Sequence, residues 1–140
     1  MTQSYAGDVD AKAAWQALEQ DARAVLIDVR TQAEWNYVGL PDLSPLGKSV
    51  LRIQWQNWPE GAVNPHFAEE VARAGVEPDQ SVYLICRSGA RSRSAAQLLT
   101  QQGWRAAYNV ADGFEGPHDG ERHSGRVAGW KHDGLPWAQG

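Results

Sequence analysis

The stretch that decides the fold is Val82-Tyr83-Leu84-Ile85-Cys86-Arg87-Ser88-Gly89-Ala90-Arg91-Ser92. Its first five residues form an apolar run that is typical of a buried strand. A helix is predicted from Arg91 to Gln102, with Gly103 as its stop signal. The stretch therefore predicts a strand, a tight turn and a helix, and it places Cys86 at the carboxyl end of the strand.

Helical and extended patterns alternate along the rest of the chain. A first helix is predicted at 11–19, with Asp10 as its N-cap. A second begins at the capping box Thr31-Gln32-Ala33-Glu34 and is ended by Gly39 and Pro41. A third runs from Asn64-Pro65 to Gly75. Other extended segments are predicted at 24–27, 49–53 and 106–110. Short apolar strands separated by helices indicate an α/β fold, with a parallel sheet that carries helices on both faces. Sites in such sheets form at the carboxyl ends of the strands, where we expect both Cys86 and Asp28.

Length and charge limit the possible functions. The chain has 140 residues and 15.4 kDa, and we expect residues 1–140 to form a single domain. Its formal net charge is −4, so neither nucleic acid nor an anionic membrane is an expected partner. Residues 80–111, however, contain four arginines and no Asp or Glu, which leaves a balance of −8 for the rest of the chain. The sequence thus predicts a local cationic site around Cys86.

The single cysteine also limits the chemistry. It excludes an internal disulfide and a four-cysteine zinc site. The N-terminal residues have no basic or apolar signal region, and the longest apolar runs are too short to span a bilayer. We therefore expect a cytoplasmic protein, because a lone thiol stays free in a reducing compartment.

The turn after Cys86 has the groups that activate a thiol. A thiol of pKa about 8.5 ionises more readily when its sulfur faces a helix N-terminus or nearby cations. Both are present here, as the first amides of the helix and the side chains of Arg87 and Arg91. Gly89 lets successive amides point at one spot and form an anion-binding nest. Two hydroxyl donors complete the turn, Ser88 and Ser92.

From these groups we predict a partly exposed thiolate nucleophile at Cys86. The competing interpretation is an inert core cysteine, which is the usual role of a lone cysteine at the end of an apolar run. Core packing does not require two arginines and a glycine at a turn between a strand and a helix, so we favour the nucleophile.

Segment 86–92 resembles the active-site loop of the rhodanese-type sulfurtransferases, in which four residues separate the cysteine from an arginine. Other segments resemble further landmarks of the family and stand in the family's order. Upstream of the loop these are Asp28-Val29-Arg30 with Glu34-Trp35, and downstream they are Gly103-Trp104, Asn109-Val110 with Asp112-Gly113-Phe114, and Gly134-Leu135-Pro136. The resemblance covers the chain from about Asp8 to Trp137. It implies a rhodanese-like α/β fold, with a central, mostly parallel sheet of about five strands and helices on both faces.

Two segments depart from the family pattern. The family's Gly-His-Ile-Pro-Gly-Ala is replaced by Gly39-Leu40-Pro41-Asp42-Leu43, so no histidine is present there. The chain between Phe114 and Trp130 is longer than in a minimal member of the family. Both departures lie in predicted loops, where they can change the substrate or partner without changing the chemistry.

The resemblance implies a sulfur transfer without a cofactor or metal. Cys86 would take sulfur from a small anionic donor such as thiosulfate and hold it as a persulfide. Because there is no second cysteine, the acceptor must be an external thiol, such as a protein thiol, or cyanide. The residues that would bind the substrate are Arg87, Ser88, Gly89, Ala90, Arg91 and Ser92. Asp28 and Arg30 are predicted to support the loop rather than to transfer protons.

Two other functions remain open. One is a persulfide carrier or protein-binding module with little turnover of its own. The other is a phosphatase or arsenate reductase on the same fold, although such phosphatases have five residues between cysteine and arginine, where this chain has four. The shorter loop favours sulfur over phosphate.

Several other residues have simpler interpretations. A group of potential metal ligands in the glycine-rich region 113–129 has no spacing that directs it at one ion, and we expect a solvated loop there: His118, Asp119, Glu121 and His123. Trp55 and Trp58 are predicted either to line the mouth of the site or to pack in the core or at the surface. His66 and His132 are expected at the surface.

Overall fold

Strands and helices alternate along the chain, as the sequence predicts. The structure, a computed structural model, describes residues 5–57, 61–115, 129–131 and 133–138. The elements in chain order are β1 (Gly7–Val9), α1 (Ala11–Gln20), β2 (Val25–Asp28), α2 (Gln32–Tyr37), β3 (Leu40–Pro41), a 3₁₀ turn (Ser44–Leu46), β4 (Leu51–Arg52), α3 (Phe67–Arg73), β5 (Ser81–Ile85), α4 (Ala90–Gln101), β6 (Ala106–Val110) and β7 (Trp137–Ala138). None of the helices in the described ranges is long and apolar enough to cross a membrane.

The centre of the fold is a five-stranded sheet in the order β1-β6-β5-β2-β4. All of its neighbouring strands pair in parallel. In the register, Leu84 of β5 lies between Ile27 of β2 and Asn109 of β6. The predicted α/β architecture is confirmed, and the carboxyl ends of β2 and β5 lie side by side at one edge of the sheet.

Two cores cover the two faces of the sheet. Val82 and Leu84 pack with α3 and α4 on one face, while Tyr83 and Ile85 pack with α1 on the other. This alternation follows from the two-residue period of a strand that is buried on both faces. Cys86 continues the period and belongs to the core of α3 and α4, so its side chain faces α4.

Local capping signals in the sequence are confirmed by the structure. The carboxylate of Asp10 accepts a hydrogen bond of 2.7 Å from the amide of Ala13 at the start of α1. Thr31 and Glu34 form both bonds of the capping box on α2. Such bonds satisfy amides that the helix itself leaves unpaired.

The predicted start of the third helix is wrong by two residues. The sequence predicts that Asn64 and Pro65 open it, whereas α3 begins at Phe67. Asn64 instead closes a turn ahead of the helix, because its side-chain oxygen accepts from the amide of His66 at 3.0 Å. The extended segment predicted at 49–53 is also shorter than expected, with only Leu51–Arg52 in β4.

Three short strands carry no clear signal in the sequence. β1 extends the main sheet by pairing with β6, and β3 pairs antiparallel with β7. Each of the three has two or three residues, which is too short for a hydrophobic period to show. Their partners are distant in sequence, so only the tertiary fold defines them.

Candidate active site

Cys86 directly follows β5, at the carboxyl edge of the sheet. Its side chain is only 1% exposed, so the expectation of a partly exposed thiolate is wrong. The physical reason is that the loop and the start of α4 close around Sγ, with the backbone nitrogen of Gly89 and both the nitrogen and the hydroxyl of Ser92 against it. A neighbouring segment is bonded to the backbone of the loop: the amide of Phe114 donates to the carbonyl of Cys86 at 2.8 Å, and the amide of Glu115 donates to the carbonyl of Arg87 at 3.1 Å. The sulfur is thus enclosed by its own loop and the first turn of α4, on the face of the sheet that carries α3 and α4.

Two backbone amides at the start of α4 donate to the sulfur of Cys86. The nitrogen of Gly89 lies 3.1 Å from Sγ, and that of Ser92 lies 3.4 Å from it. Gly89 is the N-cap of α4 and has φ 102°, in the left-handed region that favours glycine. The sulfur therefore lies at the positive end of the helix dipole, where a negative sulfur is stabilised.

Gly89 also meets a steric limit, because a Cβ atom there would overlap the carbonyl oxygen of Ala111 after β6. We expect Gly89→Ala to lower the free energy of unfolding by about 3 kcal/mol, from the strained backbone and the overlap together. The matched control is Gly103→Ala, because Gly103 has φ 107° but open space around it. This control is expected to cost only about 1 kcal/mol. Urea unfolding measures both, and equal losses would contradict the close approach of the loop to β6.

Arg91, in the first turn of α4, is held by a carboxylate from α2. Its two terminal nitrogens donate to the two carboxylate oxygens of Glu34 at 2.7 and 3.0 Å. Glu34 thus compensates a cation that lies at the unfavourable end of the helix dipole. The sequence predicts Glu34 in the capping box and in a family landmark, and the structure adds Arg91 as its partner.

The pair also affects ionisation. Burial acts to raise the pKa of Glu34. The hydrogen bonds and the charge of Arg91, together with the hydrogen bond from the amide of Thr31, lower it by more, so the pKa of Glu34 lies below its ordinary value. The hydrogen bond from Arg91 to Glu34 raises the pKa of Arg91.

A pH dependence of stability follows from the lowered pKa of Glu34. The unfolded chain binds this proton near the usual pKa of about 4.3, whereas the folded chain binds it only at lower pH. The contribution of Glu34 is therefore complete above about pH 5 and is lost as the pH falls through the folded-state pKa. Glu34→Gln keeps a capping-box side chain but lacks the charge. We expect wild type to exceed this variant in unfolding free energy by about 1 kcal/mol at neutral pH. In urea titrations the gap should shrink on acidification, and a constant gap would contradict the ionic pair.

The other residues of the loop differ in exposure. Ser88 and Ala90 are exposed, and Ser92 is fully buried. The Nε of Arg87 lies 3.2 Å from a carboxylate oxygen of Glu115. Acidic side chains from distant segments therefore contact both arginines of the loop.

Asp28 and Arg30 form a fully buried ion pair at the carboxyl end of β2. Nη2 of Arg30 lies 2.6 Å from Asp28 and donates to the carbonyl of Gly39 at 2.6 Å. The guanidinium group also stacks over the ring of Phe114, with 4.3 Å from Cζ to the centroid. Because the amide of Phe114 is bonded to the backbone carbonyl of Cys86, this pair connects β2 and Gly39 to the segment that is bonded to the loop.

Ser92 connects the sulfur to two residues that the sequence analysis assigned no role. Its hydroxyl oxygen lies 3.2 Å from Sγ of Cys86 and donates to the side-chain oxygen of Asn109 at 2.6 Å. The side-chain nitrogen Nδ2 of Asn109 donates to the carboxylate of Asp8 at 2.9 Å. Asn109 and Asp8 lie in neighbouring parallel strands at paired positions, but no local pattern in the sequence could have revealed that pairing.

A cavity of about 290 Å³ lies near the end of β4, between α2 and α3. Its polar lining includes Arg52, Asn57 and Glu70, and Trp35 closes one side. No residue of the loop 86–92 lines it, so it is not assigned to the site of Cys86.

Other predicted residues lie away from the loop. Trp55 packs edge-on against Phe67, with 5.3 Å between the ring centroids, which favours the packing interpretation. His66 is exposed, as expected. The remaining predictions concern Trp58, His132 and the potential ligands at 118, 119, 121 and 123, which lie outside the described residues.

Known proteins are similar to this chain over nearly its whole length. The family model described as "STR4 middle domain" matches residues 6–140. A crystal structure of the M. tuberculosis protein Rv0390 superposes with a TM-score of 0.88 at 47% sequence identity, covering 97% of this chain and 99% of the other.

The chain is also similar to proteins named for a rhodanese-like domain or for sulfur transfer. The chain is 28% identical to the rhodanese-like domain-containing protein 4 of Arabidopsis thaliana chloroplasts, over 95% of this chain and 26% of that protein. It is 26% identical to a sulfurtransferase of Allochromatium vinosum, over 92% of each chain. The loop that holds Cys86 therefore lies in a chain with rhodanese-like relatives.

Proposed function

This chain belongs to the rhodanese-like family, and from that premise we propose that it is a sulfurtransferase acting through Cys86. The donor is a small anionic sulfur compound such as thiosulfate, and the acceptor is an external thiol or cyanide. The observation that carries the proposal is the pair of amides, from Gly89 and Ser92, that converge on Sγ. Such a preorganised site suits a sulfur that gains and loses negative charge during a reaction.

The proposed reaction has two steps. The thiolate of Cys86 attacks the outer sulfur of thiosulfate, the S–S bond of thiosulfate breaks, and sulfite leaves with the bonding electrons. A persulfide remains on Cys86. In the second step the acceptor, cyanide or a thiolate, attacks the outer sulfur of the persulfide, and the Cys86 thiolate is the leaving group.

The residues of the loop divide this work. We assign donor binding to the exposed members Arg87, Ser88 and Ala90, and stabilisation of Sγ to the backbone of Gly89 and the buried Ser92. Arg91 adds positive charge to the site, and Glu34 fixes its position. Asp28 and Arg30 support the loop through Phe114.

A second function is favoured by one observation. Cys86 is 1% exposed, so an acceptor reaches its sulfur only if the groups packed around the sulfur move. A slow carrier of persulfide tolerates such a barrier better than an enzyme with fast turnover. The two functions differ in the rate at which a loaded Cys86 releases sulfur to free cyanide.

Steady-state kinetics with several donors test the proposed function. Thiosulfate, mercaptopyruvate and glutathione persulfide are each combined with cyanide or a small thiol, and kcat/KM is compared. We expect turnover with at least one donor and the parallel double-reciprocal lines of a ping-pong reaction. Loading without turnover would favour the carrier. Cys86-dependent release of phosphate from an aryl phosphate, with no sulfur transfer, would overturn the proposal.

A further inference from the structure

A chain of hydrogen bonds runs from the sulfur of Cys86 to the edge of the sheet. It passes from Sγ to the hydroxyl of Ser92 at 3.2 Å, to the side chain of Asn109 at 2.6 Å and to the carboxylate of Asp8 at 2.9 Å. The hydroxyl of Tyr5 donates to the same carboxylate oxygen at 2.8 Å. Ser92 and Asn109 are 0% and 1% exposed, whereas Asp8 is exposed on the edge strand β1.

The donor and acceptor roles along this chain are fixed from its outer end. A carboxylate only accepts, so Asn109 must present its NH₂ group to Asp8 and its carbonyl oxygen to Ser92. The single hydrogen of the Ser92 hydroxyl is then directed at Asn109. What Ser92 presents to Sγ is an oxygen lone pair, which pairs with S–H but not with a thiolate.

We propose that Asp8 and Asn109 are positioning residues that turn the Ser92 hydroxyl away from Sγ and thereby favour the protonated form of Cys86. To ionise, Cys86 must release its proton to solvent, and the Ser92 O–H must rotate towards the sulfur. The oxygen of Asn109 then loses its donor while it is buried. Ionisation of Cys86 therefore costs one buried hydrogen bond, against the two amides that favour it.

The cost of ionising Cys86 has a consequence for sulfur transfer, and this consequence rests on the proposed function. A thiolate that is harder to form is the more reactive nucleophile and the poorer leaving group. In the proposed reaction Cys86 is the nucleophile in the first step and the leaving group in the second. The series of hydrogen bonds from Asp8 to Cys86 therefore favours the persulfide-loaded state over the free thiolate.

Other charged groups around the sulfur act independently of this chain. They form three ion pairs near the loop: Arg91 of α4 with Glu34 of α2, Arg30 with Asp28 at the end of β2, and Arg87 with Glu115. An experiment must therefore change the hydrogen-bond direction and leave all of these groups in place.

Asp8→Asn makes that change at an exposed position. The new side-chain amide can accept from Tyr5 and donate to the side chain of Asn109. The side-chain amide of Asn109 can then flip and donate to the hydroxyl oxygen of Ser92. This frees the hydrogen of the Ser92 hydroxyl to point at Sγ. We expect the titration midpoint of Cys86 to fall by about one pH unit, which corresponds to about a tenfold larger thiolate fraction on the acid side. Because the chain has one cysteine, its Cβ chemical shift reports this midpoint directly, without donor or turnover.

A double-mutant cycle with Ser92→Ala separates the effect of the hydrogen bonds from the effect of removing the charge of Asp8. Without the hydroxyl, Asp8→Asn is expected to leave the midpoint unchanged. A shift that persists in the Ser92→Ala background, or no shift in Asp8→Asn alone, would overturn the proposal. Either result leaves sulfur transfer intact as a function, because turnover is assayed separately. Conversely, a protein without sulfurtransferase activity would still show the titration shift.

Discussion

Cys86→Ser is expected to abolish thiosulfate:cyanide sulfur transfer, with a loss in kcat of at least about a thousandfold. Serine has nearly the same shape, and its hydroxyl can still meet the amides of Gly89 and Ser92 that now bond Sγ. It does not ionise near neutral pH and forms no persulfide. The loss is therefore chemical, and the assay is the rate of thiocyanate formation.

Two controls make this result specific. Urea unfolding of Cys86→Ser should resemble that of wild type, which shows that the site is intact. Ser94→Ala alters a neighbouring hydroxyl of α4 that bonds only the carbonyl of Ala90 among the described contacts, and it is expected to keep its activity. Wild-type rates in Cys86→Ser would remove the basis for the proposed function.

Arg30→Ala is expected to have the largest effect on stability, a loss of about 3–5 kcal/mol in the free energy of unfolding. It leaves the carboxyl group of Asp28 fully buried without its partner. It also removes the donor to Gly39 and the cation stacked on Phe114. Because a small domain is stable by only about 5–15 kcal/mol, this variant is close to unfolding.

The matched control for Arg30→Ala is Arg23→Ala. Arg23 also forms a two-bond ion pair, with Asp79, but both side chains are more than half exposed. Such a surface pair contributes about 1 kcal/mol or less. Urea unfolding should thus give a loss several times larger for Arg30 than for Arg23, and similar losses would contradict the supporting role of the buried pair.

The parts of the fold that depend on local sequence were predictable. The apolar run before Cys86 is a buried strand, and the Asp10 cap and the Thr31–Glu34 capping box form the predicted bonds. Each depends on residues within a few positions of one another. The strand β1 was not predictable, because it has three residues and its partner β6 lies about a hundred positions away.

The environment of the sulfur was predictable only in part. The sequence places Cys86 at a helix N-terminus, and both amides are found there. Its burial and its connection to Asn109 and Asp8 were not predictable, because they arise where three parallel strands bring their ends together. The segment 113–115, which is bonded to the backbone of Cys86 and Arg87, is adjacent to them only in the folded chain.

The charge of a segment also does not give the charge of the site. Residues 80–111 carry four arginines and no acidic residue, which predicts a strongly cationic loop. In the fold, Glu34 and Glu115 approach the two arginines of that loop from elsewhere. The charge left to attract a small anion is therefore smaller than the sequence suggests, and the backbone amides gain in importance.

The most direct test of the central claim is the intact mass of the protein after incubation with thiosulfate and removal of the excess. We expect a species heavier by one sulfur atom, absent from Cys86→Ser, that returns to the original mass when cyanide is added. An unchanged mass in wild type, or the same adduct in Cys86→Ser, would contradict the claim that Cys86 carries the transferred sulfur.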